Sequence, residues 1–259
     1  MSLPCVHTAK WHPSWDDTTS YHAVPFWVDG RFAALPSVLY GNASPVGLCL
    51  LPKAASSRVK RYVFAALERR GVAVGPDWRE CPHRQPLIGG LVAPSTAYML
   101  IRHPLLRLAS AFRELTRRGL WHRLPRRVAT PNVTFEVALR AVMATPPMAL
   151  NLHLRPLLHT CGILNGRSYT ILHYEDWAGL TSVLAAHFAP ALPPLQYRAS
   201  GTLARAHGLY SQDLATRANA WAEGDLVVGQ YAPWFPGLNV TFGPSHPRLR
   251  ADRLVQRVP

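Results

Sequence analysis

Three short apolar runs, each feeding a stretch of helical periodicity, restrict the folds open to this chain. The first covers 46–51 and leads into a helix over 56–70, with Gly71 placed to end it. The second, TAYMLI at 96–101, leads into a helix that opens at Pro104 and carries Leu105, Leu108, Ala109 and Phe112 on one face. The third, SYTILHYE at 168–175, leads into a helix that runs to about Phe188. Short strands alternating with helices predict an α/β fold, a parallel sheet flanked by helices. Further helices are predicted over 133–145, closed by Pro146-Pro147, and as one long element over 209–225. Residues 1–45 carry aromatics and prolines without period and read as an irregular lead-in; 72–95 reads as a Gly- and Pro-rich loop.

The first two junctions share a layout. In LCLLPKAASSRVKRYVFAAL (48–67) the apolar run ends at Lys53, small residues and hydroxyls follow, and a helix begins. In LIRHPLLRLASAFREL (100–115) the run ends at Arg102 and the helix carries Ser110 two turns in. A strand that ends in a cation and opens a helix aims backbone N–H groups and the positive end of the helix dipole at an anion. In a parallel sheet both strand ends leave the same edge, which suits a ligand with two separated phosphate-like groups. The first junction is not a Walker loop, because Lys53 precedes the hydroxyls and the loop holds no glycine. A strand-to-helix turn with Lys and Ser also occurs in proteins that bind nothing there.

The chain of 259 residues is long enough to bury a substantial core, and 48% hydrophobic with 16% charged residues fits a folded globule. Its formal net charge of +14 predicts attraction to polyanions, and ELTRRGLWHRLPRR (114–127) concentrates the arginines. The same run reads equally as a solvated basic helix end. No stretch approaches the roughly 18 apolar residues of a membrane span, and MSLPCVHTAKWHPSW lacks the pattern of a signal peptide. Either the protein works without a leader or the chain is a portion of a longer precursor. Asn42, Asn132 and Asn239, three of only six asparagines, head glycosylation acceptor triplets. Cys5, Cys49, Cys81 and Cys161 form an even set without metal-ligand spacing, and Cys49, inside an apolar run, is expected to be a free buried thiol.

Four stretches resemble one family. PKAASSRVKR (52–61) is similar to the 5′-phosphosulfate loop, P-K-x-x-C/S-T/S-x-x-K/R, of the Golgi carbohydrate sulfotransferases of the chondroitin/dermatan type. RHPLLRLASAFRE (102–114) resembles their 3′-phosphate element, NLHLRPLLHTCGILNGRSYTILHYED (151–176) a third motif, and WAEGDLVVGQY (221–231) the tail motif. Order and spacing agree over about 46–232. His103 and Leu106 replace acids of the family pattern, Leu154 replaces a Trp, and Leu164 stands where a second Cys belongs. The chain looks like a distant member.

The resemblance implies a nucleotide-binding sulfotransferase fold, with a catalytic domain over 46–240 and a basic tail over 241–259. It implies 3′-phosphoadenosine 5′-phosphosulfate (PAPS) as donor, PAP as product, no metal, and a carbohydrate acceptor, with acidic glycans among the candidates. Nucleic acid is not expected as a partner, and a membrane only through an anchor on a longer precursor. The compartment implied is the Golgi lumen or secretory pathway. Carried over residue by residue, Lys53 is catalytic and, with Pro52, Ala54, Ala55, Ser56, Ser57 and Arg58, holds the 5′ end of the donor. Arg102, Arg107 and Ser110 belong to the 3′-phosphate element, and His83 is the candidate base by analogy alone, an exposed loop residue being its plain alternative. His103, beside Arg102, is expected to be structural. Two other classes stay open: a non-catalytic basic module for heparin or nucleic acid, and a nucleotide kinase on a similar fold.

Overall fold

The computed structural model describes residues 24–28, 31–35, 46–69, 96–160, 163, 169–187 and 202–242. Gly71, the 72–95 loop with His83, Cys5, Cys81, Cys161, Asn42 and the tail beyond 242 lie outside them. The chain divides into two compact units, each discontinuous: 1–100 with 168–197, and 101–167 with 198–259.

In the first unit, β1 (Val24–Val28) and β2 (Arg31–Leu35) pair antiparallel, Val24 opposite Leu35 and Val28 opposite Arg31. This corrects the irregular reading of the lead-in. Asp29-Gly30 between two apolar runs is a two-residue hairpin signal, outweighed in the sequence by the aperiodic residues before it. A separate three-stranded parallel sheet has the order β3 (Val46–Leu50), β4 (Thr96–Ile101), β5 (Thr170–His173). Mixed α/β architecture with a parallel sheet is as expected. Leu48, Cys49, Leu50 and Leu51 are all buried, so β3 is covered on both faces, as the unbroken apolar run requires. Helix α1 (Ser56–Arg69) buries Val59, Tyr62, Val63 and Ala66, the i, i+3, i+4, i+7 face of an amphipathic helix. Helix α4 (Trp177–His187) packs on β5, and Tyr98 Oη bonds His187 Nε2 at 2.8 Å. Cys49 is disulfide-bonded, which corrects the free-thiol expectation. An apolar setting accommodates a half-cystine as readily as a thiol, so burial could not separate the two.

The second unit is helical. Helix α2 (Pro104–Arg117) packs on α3 (Phe135–Met143), α5 (Thr202–Leu209) and α6 (Gln212–Trp221). Leu105, Leu108 and Ala109 of α2 are buried with Leu139, Tyr210, Leu214 and Trp234, and Phe112 is partly buried against them. Thr134 and Ser211 cap α3 and α6 by accepting from the N–H of Val137 and Leu214. The long helix expected over 209–225 is two elements, α6 and, after a break at Ala222, α7 (Glu223–Val228), with Leu209 ending α5. Tertiary demand sets that break. Asp225 of α7 must reach the backbone of Leu157 and Leu158, and a Cβ on Gly224 would stand 2.2 Å from Leu158 Cδ1.

Candidate functional site

The two strand-to-helix junctions differ in how they are closed. After β3, Ala54 N donates to Leu51 O at 3.3 Å and turns the chain. Lys53 and Ala55 then take φ +71° and +61°, with Ala54 between them on the ordinary side. Left-handed backbone costs a non-glycine residue about 1–2 kcal/mol, and it persists only where the surroundings fix it. Alternating signs of φ are the backbone pattern of a nest, in which successive N–H groups face one concavity and accept an anion. Val59 N donates to Ala55 O at 3.1 Å, which makes Ala55 the N-cap of α1. Alanine has no side-chain oxygen. The first-turn N–H groups of α1 therefore receive no bond from the cap residue's side chain and lie at the positive end of the helix dipole.

The rest of this junction fits the same reading. Ala54 and Ser56 are buried, Lys53, Ala55 and Arg58 half-buried, and Ser57 exposed; Pro52 is buried at the strand end. Lys60, one turn beyond Ser56 on the same face of α1, is buried, and desolvation lowers its pKa to about 8. Lys60 stands at the K/R position of PKAASSRVKR. Its i+4 spacing from Ser56 and its apolar neighbours are the signal that it turns inward.

The second junction is sealed. His103 is the N-cap of α2: its carbonyl accepts from Arg107 N, and its Nδ1 accepts from Leu105 N at 3.3 Å. Its Nε2 donates to Ala232 O at 3.1 Å, so the two partners fix one neutral tautomer. The ring is wholly buried, edge-on to Tyr231 and Trp234. Burial lowers its pKa to about 4, the neighbouring Arg102 charge adding to that and the bond to Ala232 opposing it. The structural role expected of His103 agrees with this geometry. Arg102 is buried beside it, and Ser110 lies half-exposed on α2.

Arg107 is fully buried and donates to His153 O at 3.2 Å and to Arg155 O. Its guanidinium faces Asp225 electrostatically; burial lowers the arginine's pKa and raises that of the aspartate, each charge opposing the shift of the other. Asp225 in turn accepts from Leu157 N at 2.7 Å and Leu158 N at 3.0 Å, closing the start of a short 3-10 turn. Three stretches separated in sequence, around Arg107, 151–158 and Asp225, thus share one buried polar network. Arg107 serves the fold there, by tying α2 to the 151–155 turn. Asn151 Oδ1 accepts from His153 N at 3.1 Å and lies 2.8 Å from His153 Nδ1, which fixes the same turn.

No family model, curated protein or solved structure matches this chain.

Proposed function

We propose that this chain is a PAPS-dependent sulfotransferase on a nucleotide-binding sulfotransferase fold, acting on a hydroxyl of a carbohydrate. The observation that carries the reading is the uncapped start of α1. A loop that forgoes a capping side chain and holds two left-handed non-glycine residues, at the positions resembling a 5′-phosphosulfate loop, gives its backbone donors to an anion. In the reaction the acceptor oxygen attacks sulfur in line, the bond from sulfur to the 5′-phosphate oxygen breaks, PAP leaves, and the hydroxyl proton passes to a base. Charge grows on the equatorial oxygens and the leaving phosphate, and fixed donors aimed at those atoms lower the barrier. Lys53 neutralises the leaving oxygen; Ser56, Ser57 and the N–H groups of 55–57 hold the 5′-phosphate, those of Ala54 and Arg58 being bonded to Leu51 O and Ala55 O. Arg102 and Ser110 take the 3′-phosphate, Arg107 acts only as a support, and His83 remains the candidate base. A secretory compartment is supported by the disulfide-bonded Cys49 and by the exposure of Asn132 and Asn239.

Thermal unfolding with PAP and with ATP tests the donor. A ligand bound only by the folded state stabilises by RT ln(1 + [L]/Kd), so PAP should raise the Tm and ATP, lacking the 3′-phosphate, far less. Equal shifts would favour the kinase reading. Labelled PAPS with a glycan panel then separates an enzyme from a basic module that only binds.

A further inference from the structure

Between α2 and α5, within the second unit, lies a half-open cavity of about 240 Å³. Its walls carry Ser110, Arg113, Glu114 and Arg117 from α2, and Arg205 and Leu209 from α5. Ala109 and Ala206 form the floor, and two alanines facing each other there leave the space open. The charge is one-sided. Glu114 is engaged by Arg117 at 3.2 Å and by Arg118, whereas Arg113 and Arg205 are exposed and take part in none of the ion pairs of the described residues. Arg113 and Arg205 thus line one cavity from two helices, without a carboxylate partner among the ion pairs of the described residues.

We propose that this cavity is an acceptor subsite that holds a sulfate ester already present on the saccharide, a proposal that rests on the sulfotransferase reading above. Arginine forks match tetrahedral oxyanions through paired N–H donors, and Arg113 and Arg205 bring one fork each from α2 and α5. Leu209 gives an apolar surface for the C–H face of a sugar ring. The volume falls below the roughly 300–1,000 Å³ of pockets that enclose a drug-sized ligand, so it suits one substituted sugar and not a nucleotide. Arg113 and Arg117 stand one turn apart, about 6 Å along the helix axis, which lets a second anionic group on the same chain be met. The enzyme then acts on an acceptor that another sulfation reaction has already modified.

The test titrates the full chain with a heparin-derived sulfated tetrasaccharide, its desulfated counterpart, PAP, and phosphatidylserine vesicles, all at one ionic strength. The wild type should bind the sulfated probe at least tenfold more tightly than the desulfated one. Arg113→Ala/Arg205→Ala should lose at least tenfold for the sulfated probe and keep PAP affinity within about twofold. Arg113→Lys/Arg205→Lys, which keeps the charge but removes the forks, should recover less than half of that loss. A control pair, Arg126→Ala/Arg127→Ala, should change little; an equal loss there would mean diffuse attraction and overturn the subsite. So would indifference to sulfation, a parallel fall in PAP affinity, or vesicle binding that depends on Arg113 and Arg205. Failure of PAP to bind the wild type sinks the sulfotransferase reading instead, and the saccharide titrations remain readable without it.

Discussion

The start of α1 and the start of α2 are written alike in the sequence and finished differently. Each follows an apolar strand and a cation. At α2 a buried, neutral His103 accepts from Leu105 N and fastens the cap to Ala232. At α1 the cap is Ala55, which can accept nothing through its side chain, and the backbone around it is left-handed at two residues. A missing cap typically forfeits about 1 kcal/mol, and left-handed alanine adds about 1–2 kcal/mol more. The second junction satisfies a cap donor with a side chain; the first bonds Ala54 N and Arg58 N to backbone carbonyls and offers no cap side chain to the N–H groups of Ser56 and Ser57. The two junctions should therefore respond in opposite ways when perturbed.

The largest effect belongs to the open junction. Lys53→Ala should lower kcat about 10²–10³-fold, the loss typical of removing one group that stabilises transition-state charge, with PAP affinity nearly unchanged. Arg102→Lys should show the reverse pattern, weaker PAP binding at similar kcat. If steady-state kinetics and PAP titration return the opposite assignment, the roles of the two junctions are exchanged. Next comes the cap itself. Ala55→Asp should supply the missing acceptor and raise the Tm, since aspartate caps well and tolerates left-handed backbone. It should also place a carboxylate in the cradle and cut PAP affinity by about 10²-fold, like charges in contact costing several kcal/mol. Ala55→Gly should stabilise by about 1 kcal/mol and leave PAP binding intact.

The sealed junction predicts an acid-sensitive fold. His103 has a folded pKa of about 4, below the ordinary 6.5, so the unfolded chain binds more protons between these values. Stability should fall as pH drops from 6.5 toward 4, by up to roughly 3 kcal/mol from this group, and urea unfolding across that range measures it. His103→Asn should flatten the dependence. Arg102, Tyr231 and Trp234 are among the groups that face the ring. The smallest effect concerns Lys60, lowered to about 8 from 10.5. Its unfolded form binds the extra proton between those values, so stability should rise with pH through 8–10.5. Lys60→Met should remove that rise and stabilise the protein at neutral pH by about 1–2 kcal/mol.

How much of this the sequence disclosed follows from what each feature depends on. Strands β3, β4 and β5 and helices α1 to α4 were legible, because apolar runs and 3.6-residue periods are local signals. The break at Ala222 was not, since it answers to Asp225 bonding a turn almost 70 residues earlier in the chain. Lys53 and the Ser56-Ser57 pair were legible as chemistry, but the absence of glycine argued against left-handed backbone where two residues adopt it. Arg107 lay within a motif that implied phosphate contact. Only its burial against the carbonyls of His153 and Arg155 gives it to the fold.

The order of the sheet has a consequence during biosynthesis. Strand β4 ends at Ile101 and its second neighbour, β5, begins at Thr170. A ribosome adding roughly 5–20 residues per second needs on the order of 4–14 s to deliver that neighbour. Throughout that interval β3 and β4 form at most a pair in which β4, central in the finished sheet, is an edge strand, the kind of edge that recruits other chains. A chain truncated before β5 keeps that edge for its lifetime, so nascent-chain aggregation should be concentrated in products that stop between 102 and 169.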